Sequence, residues 1–330
     1  MGEELIELGQ IKGHPAWSLG HVLDLRPSEA YLRGHFVPAV SLPLTLVPSQ
    51  PNSANTVSEP KRALSMDATG VRDSSKEDLL RELIEEQLPP IFLPPRHEPL
   101  LLVADSMVTV LRVRAILRAN NRPAVDVCVL KPEDLRRLPL EMMATGPCRR
   151  RLWRPPGFLE AHVNFLPPPE AGPVLDLGAG NGRASVWLAE RGYCITAVDR
   201  HAEALNMARR LARSCGVNCQ FLERDLRDPR QIPAGPWAAV LAFRFLDREL
   251  LTSLPHLLQH HGIVLVRTFR HVEGQQGLPA VRYRLQPGEL LHLLPAEYFR
   301  ILVHAEDYDS DGKPAAGIVA QLRSGFGLSQ

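Results

Sequence analysis

The sequence predicts an α/β protein of two successive domains, each built on a mostly parallel sheet. Three observations lead there. Short apolar, β-branched runs alternate with segments of helical period in both halves, the pattern of parallel strands joined by crossover helices. The chain has 330 residues, enough for two domains of ordinary size. Prolines gather between Pro155 and Pro173, where they discourage helix and mark a connection.

Composition narrows the function classes. Apolar residues make up 45%, so a full core can form. The formal net charge of +1 gives no global electrostatic argument for nucleic acid or an anionic membrane. Five cysteines, Cys128, Cys148, Cys194, Cys215 and Cys219, are scattered. Cys215 and Cys219 are close, but no second pair or histidine cluster completes a zinc site, so no metal is expected. Reduced thiols in an intracellular protein are the expectation. The N-terminus shows no long apolar segment, so neither a signal peptide nor a membrane span is expected, and the expected location is cytoplasmic.

In chain order, residues 1–140 form the first domain. Val22-Leu23-Asp24-Leu25-Arg26 reads as a buried strand ending in a charged pair. Glu29, Tyr31, Gly34-His35-Phe36, Pro38-Ala39 and Leu42-Pro43 follow. These residues resemble the opening of a rhodanese-like domain, D-x-R, E-x-Y, then G-H-I-P-G-A, although Val37-Pro38-Ala39 lacks the glycine before the alanine. The resemblance implies that Asp24 and Arg26 brace a turn, to which His35 also belongs. Residues 49–76 are polar and read as a flexible insertion. Glu77–Leu88 has Leu79, Leu80, Leu83, Ile84 and Leu88 on one helical face. Leu100–Ala104 is a strand, Val108–Ala119 a helix and Val125–Leu130 a strand.

The rhodanese resemblance also implies a cysteine directly after Ala104, in a loop whose amides lower the thiol pKa. This chain has Asp105-Ser106-Met107-Val108-Thr109 instead. Asp105 cannot form a persulfide; its expected role is to cap the following helix. Cys128 reads as a small core residue. No sulfurtransferase activity is expected. The domain would serve as a structural partner, as a module that binds another protein, or as a shield over the other domain's site.

Residues 141–172 read as a linker, after a short helix start at Pro132-Glu133-Asp134-Leu135. Arg149, Arg150, Arg151 and Arg154 surround Trp153, a set able to contact phosphate and stack a base. No longer basic patch supports a nucleic-acid partner, so a solvated linker with Trp153 packed on a domain is the favoured reading. Phe158–Val163 has the pattern of a short amphipathic helix.

Residues 173–330 carry the chemistry. The apolar run Pro173–Leu177 includes Asp176 and leads into Gly178, Gly180 and Gly182, spaced by Ala179 and Asn181. A helical pattern follows at once with Ala184, Val186, Trp187, Leu188 and Ala189. Glycine turns of this kind bring backbone close to a ligand, because no Cβ stands in the way. Strand Cys194–Val198 ends at Asp199-Arg200, and a carboxylate there can accept hydrogen bonds from both hydroxyls of a ribose. Helix Ala202–Ser214 has Ala204, Leu205, Ala208, Leu211 and Ala212 as its buried stripe. Strand Cys219–Leu222 leads to Asp225-Leu226, and strand Trp237–Phe243 to Arg244. Leu250–His260 reads as helix and Gly262–Phe269 as a buried strand. Tyr298–Ala305 and Ala316–Leu322 close the sheet as an antiparallel pair. In an open α/β sheet the ligand crevice lies at the C-terminal strand ends, where the glycines, Asp199, Asp225 and Phe243-Arg244 all fall.

The spacing is G-x-G-x-G, not the G-x-G-x-x-G of a dinucleotide turn. Asp176, Gly178, Gly180 and Gly182, then Asp199, then Asp225 resemble the class I S-adenosylmethionine-dependent methyltransferases. The resemblance implies a Rossmann-like fold and S-adenosylmethionine as cofactor. Its methionine part would lie along Asp176–Gly182, Asn181 included, its ribose at Asp199-Arg200 and its adenine at Asp225-Leu226, with Phe243 on the same edge. Phe243–Leu250, His261-Gly262, Thr268-Phe269 and Pro287–Leu290 are similar to the tellurite-resistance branch that methylates small molecules. Trp153 and Phe158 would then shield the methyl group, and Arg244 would bind an anionic substrate or act as an ordinary ion-pair partner. A thiol or metalloid acceptor needs no base; for nitrogen or oxygen, His162, His271 and Tyr283 are equal candidates. Two other readings stay open: a non-catalytic cofactor-binding scaffold and an NAD-dependent enzyme.

Overall fold

The structure, a computed structural model, describes residues 5–44, 82, 84, 87–146, 151–274, 277 and 279–326. The polar stretch 49–76, most of the helix expected over Glu77–Leu88, and Cys148, Arg149 and Arg150 lie outside the described residues. The chain divides into two compact units, Met1–Leu152 and Trp153–Gln330.

In the first unit α1 (Pro15–Leu19) precedes β1 (Val22–Asp24), α2 (Ser28–Arg33), β2 (His35–Phe36) and β3 (Ala39–Ser41). Then come β4 (Leu100–Ala104), α3 (Met107–Ala119), β5 (Val125–Val129) and β6 (Met143–Ala144). The sheet is parallel, in the order β3-β1-β4-β5, and β2 pairs antiparallel with β6. Every residue of β4 is buried because both faces are covered. Leu100, Leu102 and Ala104 join one core; Leu101 and Val103 join the other. Helix α3 closes the first core with Val110, Val113 and Leu117. Its N-cap is Ser106, whose Oγ accepts from the Thr109 amide at 3.4 Å. The capping role expected of Asp105 thus falls one residue later, because the helix begins at Met107.

Asp24 and Arg26 form a fully buried ion pair, with Arg26 Nη2 2.6 Å from Asp24 Oδ2. Arg26 Nη2 also donates to the Gly34 carbonyl at 2.8 Å, tying β1 to the end of α2. Tyr31 stacks on His35 at 3.8 Å and donates its hydroxyl to the Ala39 carbonyl at 2.8 Å. His35 is buried, hydrogen-bonded to the Tyr31 carbonyl, and held below its usual pKa mainly by that burial. Burial pushes the Cys128 thiol up to about 12, so it has no thiolate character at neutral pH.

The second unit contains α4 (Gly157–His162), β7 (Val174–Leu177), α5 (Arg183–Ala189), β8 (Ile195–Asp199), α6 (Ala202–Ser214) and β9 (Gln220–Glu223). There follow β10 (Trp237–Phe243), α7 (Arg248–Ser253), β11 (Leu258–Phe269), α8 (Glu289–Leu293), β12 (Phe299–Tyr308) and β13 (Pro314–Leu322). The order is β12-β13-β11-β10-β7-β8-β9, and β13 runs antiparallel to both its neighbours. One face of the sheet, with Leu175, Leu177, Val240, Ala242, Val264 and Ile318, packs on Leu250, Leu251 and Leu254 of the α7 segment and on Leu290 of α8.

One element departs from the sequence reading. Instead of a helix over Leu250–His260, α7 stops at Ser253, a single 3-10 turn carries Pro255, and β11 begins at Leu258. Proline has no amide to continue the helical ladder. The register then shifts: Trp237 faces Leu258, whereas Ala239 faces Ile263, and His261 takes a left-handed φ of 61° in the extra loop of strand. Among the described residues no helix is long and apolar enough to cross a membrane, and no group of three or more His, Cys, Asp or Glu side chains is placed to hold a metal ion.

Candidate cofactor site

The three glycines after β7 have φ values of 65°, 54° and 75°, all in the left-handed region that a Cβ disfavours. Their surroundings differ. A Cβ on Gly178 would lie 2.5 Å from Phe245, and one on Gly182 would lie 2.6 Å from Ala208 of α6. These two glycines permit close packing. A Cβ on Gly180 meets nothing within 4 Å, so open space stands over this residue alone of the three.

The same residue is fixed from the neighbouring strand. The Gly180 amide donates to Asp199 Oδ2 at 2.8 Å, the His201 amide donates to Asp199 Oδ1 at 2.9 Å, and the Ala179 amide donates to the Val198 carbonyl at 3.0 Å. The C-terminal end of β8 therefore holds the loop, and a mostly buried carboxylate sits beside the opening. Asn181 is exposed at the crest, and Arg200 is exposed next to Asp199.

Asp176 is turned inward. It is 1% exposed and accepts from the Ser185 hydroxyl of α5 at 2.5 Å. It braces β7 to α5 beneath the loop. Burial pushes its carboxyl up to about 7, against the lowering effect of the Ser185 hydrogen bond. A carboxyl in an unfolded chain titrates near ~3.9. The folded state thus holds the extra proton between these values, and stability falls as pH rises through that window. Asp176→Asn keeps the shape and an acceptor for Ser185 but cannot ionise. Its melting temperature is expected to fall less between pH 5 and pH 8 than that of the unsubstituted chain. Parallel melting-versus-pH curves would refute this.

Asp225 lies after β9 on the same edge, gripped by Arg227, whose Nε sits 2.9 Å and 3.0 Å from its two oxygens. That guanidinium holds its carboxyl down near about 2. Leu226 is buried in the core, and Phe243 is half-buried at the end of β10.

Trp153 and Phe158, the residues expected to shield the methyl group, are both buried, at 3% and 8% exposed. The Phe158 ring lies over Gly317 of β13, where a Cβ would be 2.7 Å away, and the Arg267 guanidinium is 5.3 Å from its centroid. Phe158 therefore fills a gap that glycine leaves in the sheet.

Arg244 proves to be an ion-pair partner. Its backbone takes a left-handed φ of 56°, its amide donates to the Arg267 carbonyl at 2.8 Å, and its guanidinium lies 3.3 Å from Asp309 and 2.7 Å from Asp311. Arg267 joins the network, 2.6 Å from both Asp307 and Asp309. Sequence reasoning missed these aspartates: Asp307 lies near the end of β12, and Asp309 and Asp311 lie in the turn that leads to β13. It also missed Ser185 and the packing of Phe245 on Gly178, which carry no local signal.

Residues 174–262 match the family described as a methyltransferase domain. The second unit carries a methyltransferase domain over these residues. Its relatives include the "Uncharacterized protein UNK4.09" of Schizosaccharomyces pombe, 24% identical over 237 residues, covering 57% of this chain and 69% of that one. The release factor glutamine methyltransferase of Bacillus subtilis is 32% identical over 92 residues, covering 27% of this chain and 32% of that one. Among solved structures, TehB from Haemophilus influenzae is 18% identical, covering 51% of this chain and 62% of that one, with a TM-score of 0.42. Within the matched residues, open space over Gly180 meets the Asp199 carboxylate.

Proposed function

We propose that this chain transfers the methyl group of S-adenosylmethionine to a small-molecule acceptor by in-line displacement. The observation that carries the reading is Gly180, open above and hydrogen-bonded to Asp199 at the C-terminal edge of the sheet. In this reading Gly178, Gly180, Asn181 and Gly182 lie along the methionine part, Asp199 and Arg200 take the ribose, and Asp225 and Leu226 flank the adenine, with Phe243 at the end of β10. The cofactor supplies an electrophilic methyl on a sulfonium; the chain supplies alignment, which accounts for much of the acceleration in such a displacement.

The acceptor side is then the edge formed by β10 and β11. Of the three residues considered as a base, His162 commits Nδ1 to the Phe158 carbonyl at 2.8 Å, and Tyr283 is 44% exposed on a 3-10 turn. His271 follows β11, is fixed by its amide to the Leu285 carbonyl at 2.7 Å, and has a buried Nδ1 with no hydrogen-bond partner among the described residues. His271 is the residue that would take a proton from a nitrogen or oxygen acceptor. A thiol or metalloid acceptor, as the tellurite-resistance resemblance implies, would not need it.

The first unit supports a rhodanese-like reading through its parallel sheet, the Asp24–Arg26 brace and the Tyr31–His35 stack. Asp105 follows β4 where the sulfurtransferase cysteine would stand, so this unit acts as a binding module and not as a second enzyme. The proposed setting is cytoplasmic.

The test is incubation with methyl-labelled S-adenosylmethionine and a panel of small thiols, selenium and tellurium oxyanions, and fractionated extract. Label is expected in a low-molecular-mass product. Binding of the cofactor with no transfer to any fraction would favour the scaffold reading. With a nitrogen or oxygen acceptor, His271→Gln is expected to lower kcat by roughly 100-fold with cofactor affinity unchanged. An unchanged kcat with such an acceptor removes His271 from the chemistry.

A further inference from the structure

At the opposite end of the second unit's sheet, where β11 and β12 begin and β13 ends, a surface cleft of about 350 Å³ is lined by His261, Arg300, Gln321, Leu322, Arg323 and Ser324. Register explains why these groups converge. Arg300 of β12 faces Gln321 of β13, which faces Ile263 of β11. Arg323 stands two residues beyond Gln321 and so continues the same face. Its direction is set by a hydrogen bond from Nε to the Ala296 carbonyl at 2.8 Å, which leaves the terminal nitrogens available to the cleft. Among the described residues neither Arg300 nor Arg323 has a carboxylate within ion-pair distance, and no acidic side chain lines the cleft.

This is unlike the other arginine-rich edge of the unit. There Arg244 and Arg267 are matched by Asp307, Asp309 and Asp311. The uncompensated pair sits beside the one strand irregularity of β11, where His261 holds a left-handed φ of 61° and its carbonyl accepts from Gln321 Nε2 at 3.5 Å. A non-glycine residue held in that region marks a place where the fold sustains local strain.

We propose that this cleft binds a phosphate monoester. Two guanidinium forks, an amide and a hydroxyl present more donors than a carboxylate has oxygens, and they suit a tetrahedral dianion. The cleft has room beyond the phosphate for the esterified group. The site is separate from the methyltransferase crevice and does not depend on the acceptor assigned there.

Calorimetry of the full chain with inorganic phosphate and with glycerol 3-phosphate, at constant ionic strength balanced by chloride, tests it. Saturable one-to-one binding of both is expected, with the ester at least threefold tighter. The Arg300→Gln/Arg323→Gln variant is expected to bind at least tenfold more weakly, with a melting temperature lowered by no more than the loss of the exposed Arg323–Ala296 hydrogen bond, and Arg300→Gln alone to fall between at an unchanged melting temperature. The Arg300→Lys/Arg323→Lys variant keeps the charge but loses the forks, and is expected to bind several-fold more weakly. Equal affinity for the two probes would overturn the ester assignment in favour of free phosphate. Unsaturable heats, or binding retained in the glutamine variants, would overturn the site.

Discussion

Gly180→Leu is expected to abolish S-adenosylmethionine binding while leaving the fold in place. The backbone at Gly180 has a φ of 54°, and a non-glycine residue there costs about 1–2 kcal/mol. That is a modest part of the ~5–15 kcal/mol by which a domain is stable. The four-carbon side chain would enter the one open space over the glycine loop, where no protein atom lies within 4 Å of an added Cβ. The expected loss in affinity is roughly 100-fold or more, about 2.8 kcal/mol. Gly182→Leu is the contrast. Its Cβ would lie 2.6 Å from the Ala208 Cβ and 3.3 Å from the Ala208 Cα of α6, so folding is expected to fail together with binding. Titration calorimetry and thermal melting of both variants separate the two effects. Cofactor affinity within threefold of normal in Gly180→Leu would contradict the role given to that space.

Asp24→Ala is the second large effect, and it lies in the first unit. Asp24 and Arg26 are 0% and 2% exposed, and Asp24 is the carboxylate within reach of the Arg26 guanidinium. Removing one partner of such a pair leaves a buried charge without its counterion, at a cost of about 3–5 kcal/mol. Asp24→Ala/Arg26→Met replaces both ions by apolar groups and is expected to recover part of the loss. Recovery is incomplete, because Arg26 also satisfies the Gly34 carbonyl at 2.8 Å. Amide exchange of β1 and β4 reads this unit directly, since its core strands open only with the unit as a whole. Unchanged exchange in Asp24→Ala would show that the pair contributes little.

Much of this was legible from the residues themselves. Alternate glycines after an apolar strand announced a tight turn without Cβ atoms, and the structure gives all three a left-handed φ. The Asp199 position followed from the end of the next apolar run. Short apolar, β-branched runs located the strands of both sheets. What stayed hidden depended on contacts between distant residues. The apolar series Leu250, Leu251, Leu254, Leu257 and Leu258 fits a helix by spacing, yet Pro255 and pairing with β10 draw its end into β11. Phe158 has the amphipathic setting of a lid, but only the fold reveals Gly317 beneath it. Arg244 reads equally as a substrate ligand or an ion-pair partner until the β12–β13 turn brings Asp309 and Asp311 against it. Asp176 stands in the motif, and only the packing of α5 turns it toward Ser185.

The most direct measurement follows backbone amides of the isotope-labelled chain while S-adenosylmethionine is added. The Gly180 and His201 amides both donate to Asp199. The account predicts that both shift along one saturation curve, while the amides of β4 in the first unit stay still. If saturating cofactor leaves Gly180 and His201 unmoved, the cofactor does not lie in this crevice.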